Sequence, residues 1–285
     1  MLIRILTVLF LLIGTLKAND AGINEGAYGP QPIDLDTQGE SPIRMVSENL
    51  HIRFGLEKAD VVIDFVFQNT NDKPIHQKIG FPDVGLALKR DSRIEGAFPN
   101  PGLPLTNLKT FIDNREAPDV IEFGKIYRDK NKVCSPPRAD QKMLSMAWHT
   151  AAVDFPAGKT ITVRRAYSAR HGYYPYWCAV FMYFTVTGAQ WQGSIGKLDV
   201  TVELVDGLKV KDLEWKASRH NGYKVTMSPQ KSQWKILSST QMRFTWQDFE
   251  PAKEKDHQWF RLVVCDKKMT REYYEGVKKE MKELR

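Results

Sequence analysis

Histidines are the first residues in this sequence that could do chemistry. The six are His51, His76, His149, His171, His220 and His257. None lies in an HExxH motif and no two are four residues apart, so no helix face would present a pair to zinc. A metal site would have to be assembled across strands. For a lone histidine in a strand, the spacing favours a surface or hydrogen-bonded position.

Nucleophile motifs are also missing from the sequence. There is no GxSxG elbow. Cys178 follows His171 by seven residues, but a Cys–His pair would need Cys178 to be reduced and exposed. The GSIG stretch is too short to hold a phosphate and precedes a strand. Asp34 and Asp36 lack the glycine and the closing glutamate of a calcium loop.

The sequence therefore predicts a protein that is not an enzyme and that uses no cofactor and no metal. A hydrolase whose site is assembled across strands is one alternative. It would be recognised by carboxylates or histidines that converge in one cleft with shifted pKa values.

Aromatic residues are concentrated between Tyr173 and Trp191, where eight occur. In the part that begins at Ala179, alternation sends Phe181 and Tyr183 one way and Met182 and Phe184 the other. Both faces are apolar, which predicts a central strand that is covered on both sides. These rings are predicted to be core.

The residues before Cys178 follow a different pattern. Gly172 and Pro175 predict a loop, because proline removes a donor from the strand ladder. Amphipathic rings on a loop fit either a binding surface or a loop that is pinned over the core. Trp191 lies on a second turn flanked by glycines. The candidate ligand-binding residues are Arg170, His171, Tyr173, Tyr174, Tyr176, Trp177 and Trp191.

Tyrosine and tryptophan rings stack on sugars or on apolar side chains, and Arg170 could pair with an acidic group. The predicted partner is a saccharide or another protein of the cell envelope. Nucleic acid is not expected. The net charge of +7 is spread along the chain, and its densest part, KKMTREYYEGVKKEMKELR, interleaves glutamates as a solvated helix face does.

Residues 1–18, MLIRILTVLFLLIGTLKA, have the layout of a secretory signal peptide: a positive start, a short apolar run and a small residue before the cut. An uncleaved anchor is the alternative. No later stretch is apolar for long enough to span a bilayer. The predicted location is therefore outside the cytoplasm, periplasmic or extracellular.

Three cysteines, Cys134, Cys178 and Cys265, would tend to oxidise in an exported chain. An odd count leaves one thiol over, and the sequence alone allows three pairings. We predict a disulfide between Cys134 and Cys178, because Cys134 lies in a proline-rich loop that a disulfide would steady. Cys265 ends the strand LVVC and is predicted to be a buried apolar residue.

Period-two alternation dominates the rest of the chain. It places Val61, Ile63, Phe65 and Phe67 on one face, Leu198, Val200, Val202 and Leu204 on another, and Ile161, Val163 and Tyr167 on a third. Many short strands separated by turn signals, including His220-Asn221-Gly222, predict a mostly β protein, an antiparallel β-sandwich. We predict two packed lobes, 19–160 and 161–268, followed by a helix over 269–285. One continuous sandwich is the alternative.

Several stretches together resemble a known family. They are the Gly-Phe-Pro motif at 80–82, the Phe-Pro-Ala-Gly turn at 155–158 and the Thr-Gly-x-x-Trp-x-Gly-x-Ile-Gly segment at 187–196. From about Ser41 to Glu203 the chain resembles a family of exported bacterial proteins of unknown function, often found ahead of a small YARHG module. The resemblance implies fold and export, and it brings no catalytic residues.

The leading prediction is therefore an exported, non-enzymatic β-sandwich that binds an envelope partner or glycan through its aromatic loop. Besides the hydrolase, a second alternative to this prediction is a structural or assembly module that pairs with its neighbours through exposed sheet edges.

Overall fold

The structure is a computed structural model. It describes residues 21–26, 29–32, 42–83, 85–87, 104–129, 132–133, 143–173, 178–185, 188, 191–216, 218–220, 223–225, 227–250, 259–265, 275, 276 and 279. Among these residues, no helix is long and apolar enough to cross a membrane.

The described residues are mostly β-strand, as predicted. In chain order the strands are β1 (Ala21–Gly26), β2 (Gly29–Pro32), β3 (Ile43–Phe54), β4 (Lys58–Asn69), β5 (Ile75–Asp83), β6 (Thr106–Ile112), β7 (Arg115–Ala117), β8 (Val120–Asp129), β9 (Lys132–Val133), β10 (Met143–Phe155), β11 (Thr160–Arg170), β12 (Gly172–Tyr173), β13 (Cys178–Phe184), β14 (Ile195–Leu204), β15 (Ser218–His220), β16 (Tyr223–Val225), β17 (Lys235–Ile236), β18 (Gln241–Phe249) and β19 (Trp259–Cys265). Short 3-10 helices lie at Val210–Asp212 and Lys231–Gln233.

An eight-stranded sheet is the largest unit, in the order β17-β18-β14-β3-β4-β11-β6-β7. The alternation predicted for its strands is confirmed. The predicted inner residues of β4, β11 and β14 are all at most 4 % exposed, because each strand turns its apolar face to the core and its polar face to water. The predicted inner residues are Val61, Ile63, Phe65, Phe67, Ile161, Val163, Tyr167, Leu198, Val200, Val202 and Leu204.

One pairing in this sheet departs from the antiparallel prediction. Strand β14 runs parallel to β3, with Val200 opposite Leu50, whereas every other strand pair among the described residues is antiparallel. A parallel pair needs a long crossover connection, and the chain between the two strands is long enough to supply one. Strand periodicity alone carries no information on this direction.

A six-stranded sheet in the order β2-β1-β5-β10-β8-β9 forms the second large unit. Its apolar side meets the eight-stranded sheet: the ring centroid of Phe155 lies 6.1 Å from that of Phe67, and Phe81 lies 5.2 Å from Tyr167. These aromatic contacts join β10 to β4 and β5 to β11, so one continuous core lies between the two sheets.

Two smaller sheets complete the described fold. The order β12-β13-β19 makes a three-stranded sheet, and Phe260 of β19 packs 5.5 Å from Phe244 of β18. The pair β15–β16 has His220 opposite Tyr223, so the hairpin predicted at this point is confirmed. The two turn residues themselves lie outside the described residues.

The predicted boundary at residue 160 passes through a single sheet. Strand β4 belongs to the predicted first lobe and pairs along its length with β11, which belongs to the second. Strands β3 and β14 likewise come from opposite sides of the boundary. Alternation continues across residue 160 and so could not reveal which strands pair. The helix predicted over 269–285 lies almost entirely outside the described residues.

Candidate functional site

The predicted aromatic loop is only partly described. Tyr174, Tyr176 and Trp177 lie outside the described residues, and of Tyr173 only the backbone is described, opposite Ala179 in the β12–β13 pair. Arg170 ends β11 opposite Lys58 and is half-buried. We refer to residues 173–177 as the aromatic segment.

His171 is a core residue, so its prediction as a ligand contact is wrong. It is 1 % exposed, and its ring lies 4.6 Å from the ring of Phe54. Its Nε2 donates to the carbonyl of Gly55 at 2.9 Å, and its backbone N–H donates to the carbonyl of Glu57 at 3.0 Å. These bonds fasten the chain immediately before the aromatic segment to the β3–β4 turn.

Trp191 is also buried, and its prediction as a surface ring is wrong. The side chain is 2 % exposed and packs 4.7 Å from Phe67. The chain next to it is fastened to β3, because the backbone N–H of Gln192 donates to the carbonyl of Ile43 at 2.8 Å. Flanking glycines indicate a turn, but they do not indicate on which side of the chain the ring lies.

The rings of β13 are core, as predicted. Phe181 and Tyr183 on one face and Met182 on the other are each at most 2 % exposed. The Tyr183 hydroxyl donates to Oε1 of the fully buried Glu48 at 2.5 Å. A central strand covered on both faces explains the run of apolar residues here.

The disulfide joins Cys178 to Cys265, so the predicted Cys134–Cys178 pairing is wrong. The reason is register. Cys178 begins β13, Cys265 ends β19, and the two stand directly opposite each other with their Cα atoms 4.0 Å apart. Cys134 lies outside the described residues. The disulfide removes Cys178 as a nucleophile and ties the chain immediately after the aromatic segment to β19.

A second polar site lies at one end of the six-stranded sheet. Asp83, Asp119 and His149, here called the His149 cluster, are brought together from the end of β5, the residue before β8 and the middle of β10. His149 Nδ1 lies 2.7 Å from Asp119 Oδ2, and Nε2 lies 3.4 Å from Asp83 Oδ2. The side chains of Asp83 and His149 are 2 % and 6 % exposed, whereas that of Asp119 is 23 % exposed.

Asp83 also binds backbone at two distant points. Its Oδ1 accepts from the N–H of Leu86 at 2.8 Å, and its Oδ2 accepts from the N–H of Leu105 at 2.9 Å. One buried carboxylate therefore holds both ends of the intervening chain as well as the histidine. Such donors satisfy a buried anion that would otherwise be costly.

The electrostatics make His149 a cation at neutral pH. Burial alone would lower its pKa, but the hydrogen bonds and charges of Asp119 and Asp83 outweigh burial and raise the pKa to about 9. Both ring nitrogens are occupied by carboxylates, so neither has a lone pair for a substrate proton. A general base works best with a pKa near the operating pH, which this group does not have.

Sequence reasoning did not single out these residues. Their positions, 83, 119 and 149, share no motif spacing, and only the register of β5, β10 and β8 brings them together. Within the described part of the chain, no group of three or more His, Cys, Asp or Glu residues is arranged to hold a metal ion.

Comparison with known proteins supports the fold more than the function. Residues 18–122 match the model of a family described as a domain of unknown function, DUF4424, which agrees with the predicted resemblance to a family of unknown function. The link to YARHG modules stays a prediction. No curated protein sequence matches the chain significantly.

One solved structure shares the overall fold. A Legionella pneumophila protein called a "putative nutrient binding protein" aligns with a TM-score of 0.59 at 16 % identity, over 92 % of this chain and 74 % of that chain. An M1 zinc metallopeptidase from Deinococcus radiodurans aligns over 81 % of this chain and 46 % of that chain, with a TM-score of 0.35 and 8 % identity, which is too distant to carry an inference. The chain is thus similar in fold to a protein named for binding.

Proposed function

We propose that this chain is an exported, non-enzymatic protein that binds a saccharide or another cell-envelope protein through the aromatic segment. The proposal rests on one observation: the chain is attached to the sheets on both sides of the aromatic segment. His171 fastens the chain before it to the β3–β4 turn, and the Cys178–Cys265 disulfide fastens the chain after it to β19. Fixed ends lower the entropy that a loop loses on binding.

Export is supported by the disulfide, since disulfides persist mainly in oxidising compartments. It agrees with the predicted signal peptide at 1–18. A binding role is supported by the fold shared with the Legionella protein, whose name describes nutrient binding. We also propose that the eight-stranded and six-stranded sheets are the two layers of a β-sandwich, which the Phe67–Phe155 and Phe81–Tyr167 contacts support.

The test uses the chain without residues 1–18 on a saccharide array and against purified envelope proteins. We expect Tyr174→Ala combined with Trp177→Ala to abolish the signal, because stacked rings carry this type of binding. Val120→Ala combined with Ile121→Ala is the matched control, since both side chains are exposed on β8, far from the segment in sequence. An unchanged signal in the Tyr174/Trp177 variant, with its fold intact, contradicts the proposal.

A second candidate function is assembly through a sheet edge. Strand β17 is the outermost strand of the eight-stranded sheet, and it carries Ile236 at 42 % exposure next to Leu237 at 47 %. Exposed apolar residues on an edge strand favour pairing with another chain. Sedimentation over a range of concentrations tests it: a monomer at every concentration contradicts self-assembly.

The convergence of groups expected of a hydrolase occurs in the His149 cluster, where two carboxylates meet a histidine whose pKa is shifted. The two carboxylates occupy both nitrogens of that histidine, and this arrangement suits a structural ion cluster better than an acid–base site. We therefore do not propose hydrolysis.

A further inference from the structure

The side of the eight-stranded sheet that faces away from the core carries a layer of charged side chains. Residues directly opposite in neighbouring strands point to the same side of a sheet. Arg243 of β18 stands opposite Thr201 of β14. Thr201 stands opposite His51 of β3, and His51 stands opposite Val62 of β4. We call this side the outer face. The seven spacings between its eight strands, at about 4.8 Å each, make it roughly 34 Å wide.

Every carboxylate at a paired position of the described outer face is in salt-bridge contact with a cation. These carboxylates are Asp60, Asp64, Glu116, Asp199 and Glu203. Asp199 has two cations, because Lys197 Nζ lies 2.8 Å from it and the Arg243 guanidinium also donates to it. These carboxylates are therefore already balanced, and at Asp199 one positive charge is left over.

The two signs of charge differ in how far they reach into water. The side chain of Asp199 is 8 % exposed, whereas that of its partner Arg243 is 46 % exposed. The cation is also the more exposed member of each other pair named above, except for Lys109–Glu116, in which the two are equal. Most of the carboxylates lie close to the sheet, and the longer cationic side chains reach past them. A molecule that approaches the outer face therefore meets positive charge first.

Two further cations of the outer face have no carboxylate partner among the described residues. Arg44 of β3 stands opposite Gln68, and Lys235 of β17 stands opposite Arg243. Lys235 is exposed and Arg44 is half-buried. Together with the positive charge left over at Asp199, they give the described outer face an excess of positive charge. Such an excess attracts anionic partners, and most strongly at low ionic strength.

The shape of the sheet and its uncharged residues select the kind of anion. Neighbouring strands are rotated by about 20–25°, so an eight-stranded sheet is twisted and a flat bilayer would touch only part of it. A polymer chain can follow the twist and contact cations on successive strands. Ser47, Asn49 and Thr201 place uncharged polar side chains between the cations, where they can bond to hydroxyl groups. A polymer with both carboxylates and hydroxyls is an acidic polysaccharide.

We propose that the outer face of the eight-stranded sheet binds an acidic polysaccharide. Carboxylates of the polymer pair with Arg44, Lys235 and the outermost cations, and its hydroxyls bond to the polar side chains between them. The outer face belongs to the eight-stranded sheet, whereas the aromatic segment adjoins the three-stranded sheet. The two binding roles are therefore independent. The Tyr174/Trp177 variant should bind an acidic polysaccharide as the unaltered chain does, even if the aromatic segment binds nothing.

The test measures binding of the chain without residues 1–18 to immobilised polygalacturonate, with neutral dextran as the uncharged polysaccharide. We expect binding to polygalacturonate alone at about 0.1 M salt, and its loss at about 1 M, where the screening length falls to about 3 Å. Arg44→Gln combined with Lys235→Gln should weaken binding at least about tenfold, because each Lys or Arg near an anionic surface contributes about fivefold. Asn49→Asp keeps the shape of an exposed side chain and adds a carboxylate, so it should also weaken binding.

The matched control is Lys73→Gln combined with Lys211→Gln, which removes the same charge from exposed lysines outside the strands. It should bind as the unaltered chain does. Circular dichroism confirms that each variant is folded. Vesicles of phosphatidylglycerol and phosphatidylcholine in equal parts test the bilayer as the partner. The proposal is overturned if polygalacturonate does not bind, whether or not the vesicles do, if dextran binds equally well, or if the folded Arg44/Lys235 variant binds with unchanged affinity.

Discussion

Two histidine–aspartate pairs in the six-stranded sheet have almost the same geometry and opposite surroundings. His76 Nδ1 lies 2.6 Å from Asp154 Oδ1, with side chains that are 71 % and 87 % exposed. His149 Nδ1 lies 2.7 Å from Asp119 Oδ2, with side chains that are 6 % and 23 % exposed. The distance between the charged atoms therefore says little about what a pair contributes; burial decides it.

The physical reason is solvation. Water already stabilises both members of the exposed pair, so bringing them together adds little. The buried His149 ring has exchanged its hydration for two carboxylates, and Asp83 has exchanged its own for the histidine and two backbone N–H groups. Removing one member there leaves the others charged and without water.

The largest expected effect is that of His149→Leu. It leaves Asp83 buried beside Asp119 without the cation between them, and we expect a loss of about 3–5 kcal/mol in the free energy of unfolding. Urea denaturation measures it. His76→Leu is the matched control and should change stability by no more than about 1 kcal/mol. Equal losses in the two variants would show that burial does not distinguish the pairs.

The next effect is the pH dependence of stability. The folded pKa of His149, about 9, lies above its ordinary value of 6.5. The charged histidine therefore contributes fully below about pH 6.5, and its contribution is lost as the pH rises through 9. The shift corresponds to about 3 kcal/mol.

The measurement is the difference in unfolding free energy between the unaltered chain and His149→Gln, followed from pH 6.5 to pH 9.5. This difference isolates His149 from the other groups that titrate. It should shrink steadily across that range. A difference that stays constant with pH would mean that His149 is neutral in the folded protein.

Asp119→Asn should have an intermediate effect. Asp119 is the more exposed carboxylate of the cluster, and the amide keeps the shape of the side chain while losing its charge. We expect a loss of about 1.5–3 kcal/mol, the range for hydrogen bonds to charged groups. The histidine titration followed by NMR should also move to lower pH. A loss as large as that of His149→Leu would mean that the partial exposure of Asp119 does not reduce its contribution.

The smallest effect belongs to the exposed pair itself. A double-mutant cycle with His76→Ala and Asp154→Ala should give a coupling of about 0.2–1 kcal/mol. The coupling should disappear in about 1 M salt, where the screening length is about 3 Å. If the coupling persists in high salt, the His76–Asp154 pair is shielded from solvent ions as the buried His149–Asp119 pair is.

The fold could be predicted where it depends on local pattern. Alternation placed the inner residues of β4, β11 and β14 correctly, and the apolar faces of β13 indicated a covered strand. Strand order and direction depend on contacts between distant residues, which period-two alternation does not encode. For that reason the parallel β3–β14 pair was not predicted, and alternation left open whether one sheet crosses residue 160.

In the candidate sites too, local sequence pattern predicted some features, and contacts between distant residues determined the others. Ring chemistry and a proline suggested an aromatic surface, but the burial of His171 and Trp191 depends on which strands lie beneath them. The disulfide follows from the register of β13 with β19, and the His149 cluster follows from the register of three strands. Residue type identifies groups that could react, and only tertiary register shows which of them meet.

The parallel β3–β14 pair also affects the order in which the protein can form. Strand β3 ends at Phe54 and β14 begins at Ile195, so 140 residues (55–194) are synthesised between them. At translation rates of about 5–20 residues per second, this takes roughly 7–28 seconds. During that time the backbone of β3 on the side away from β4 has no strand to pair with, although this edge becomes the interior of the finished sheet. The nascent chain therefore exposes an aggregation-prone edge at the centre of its future core until translation reaches β14.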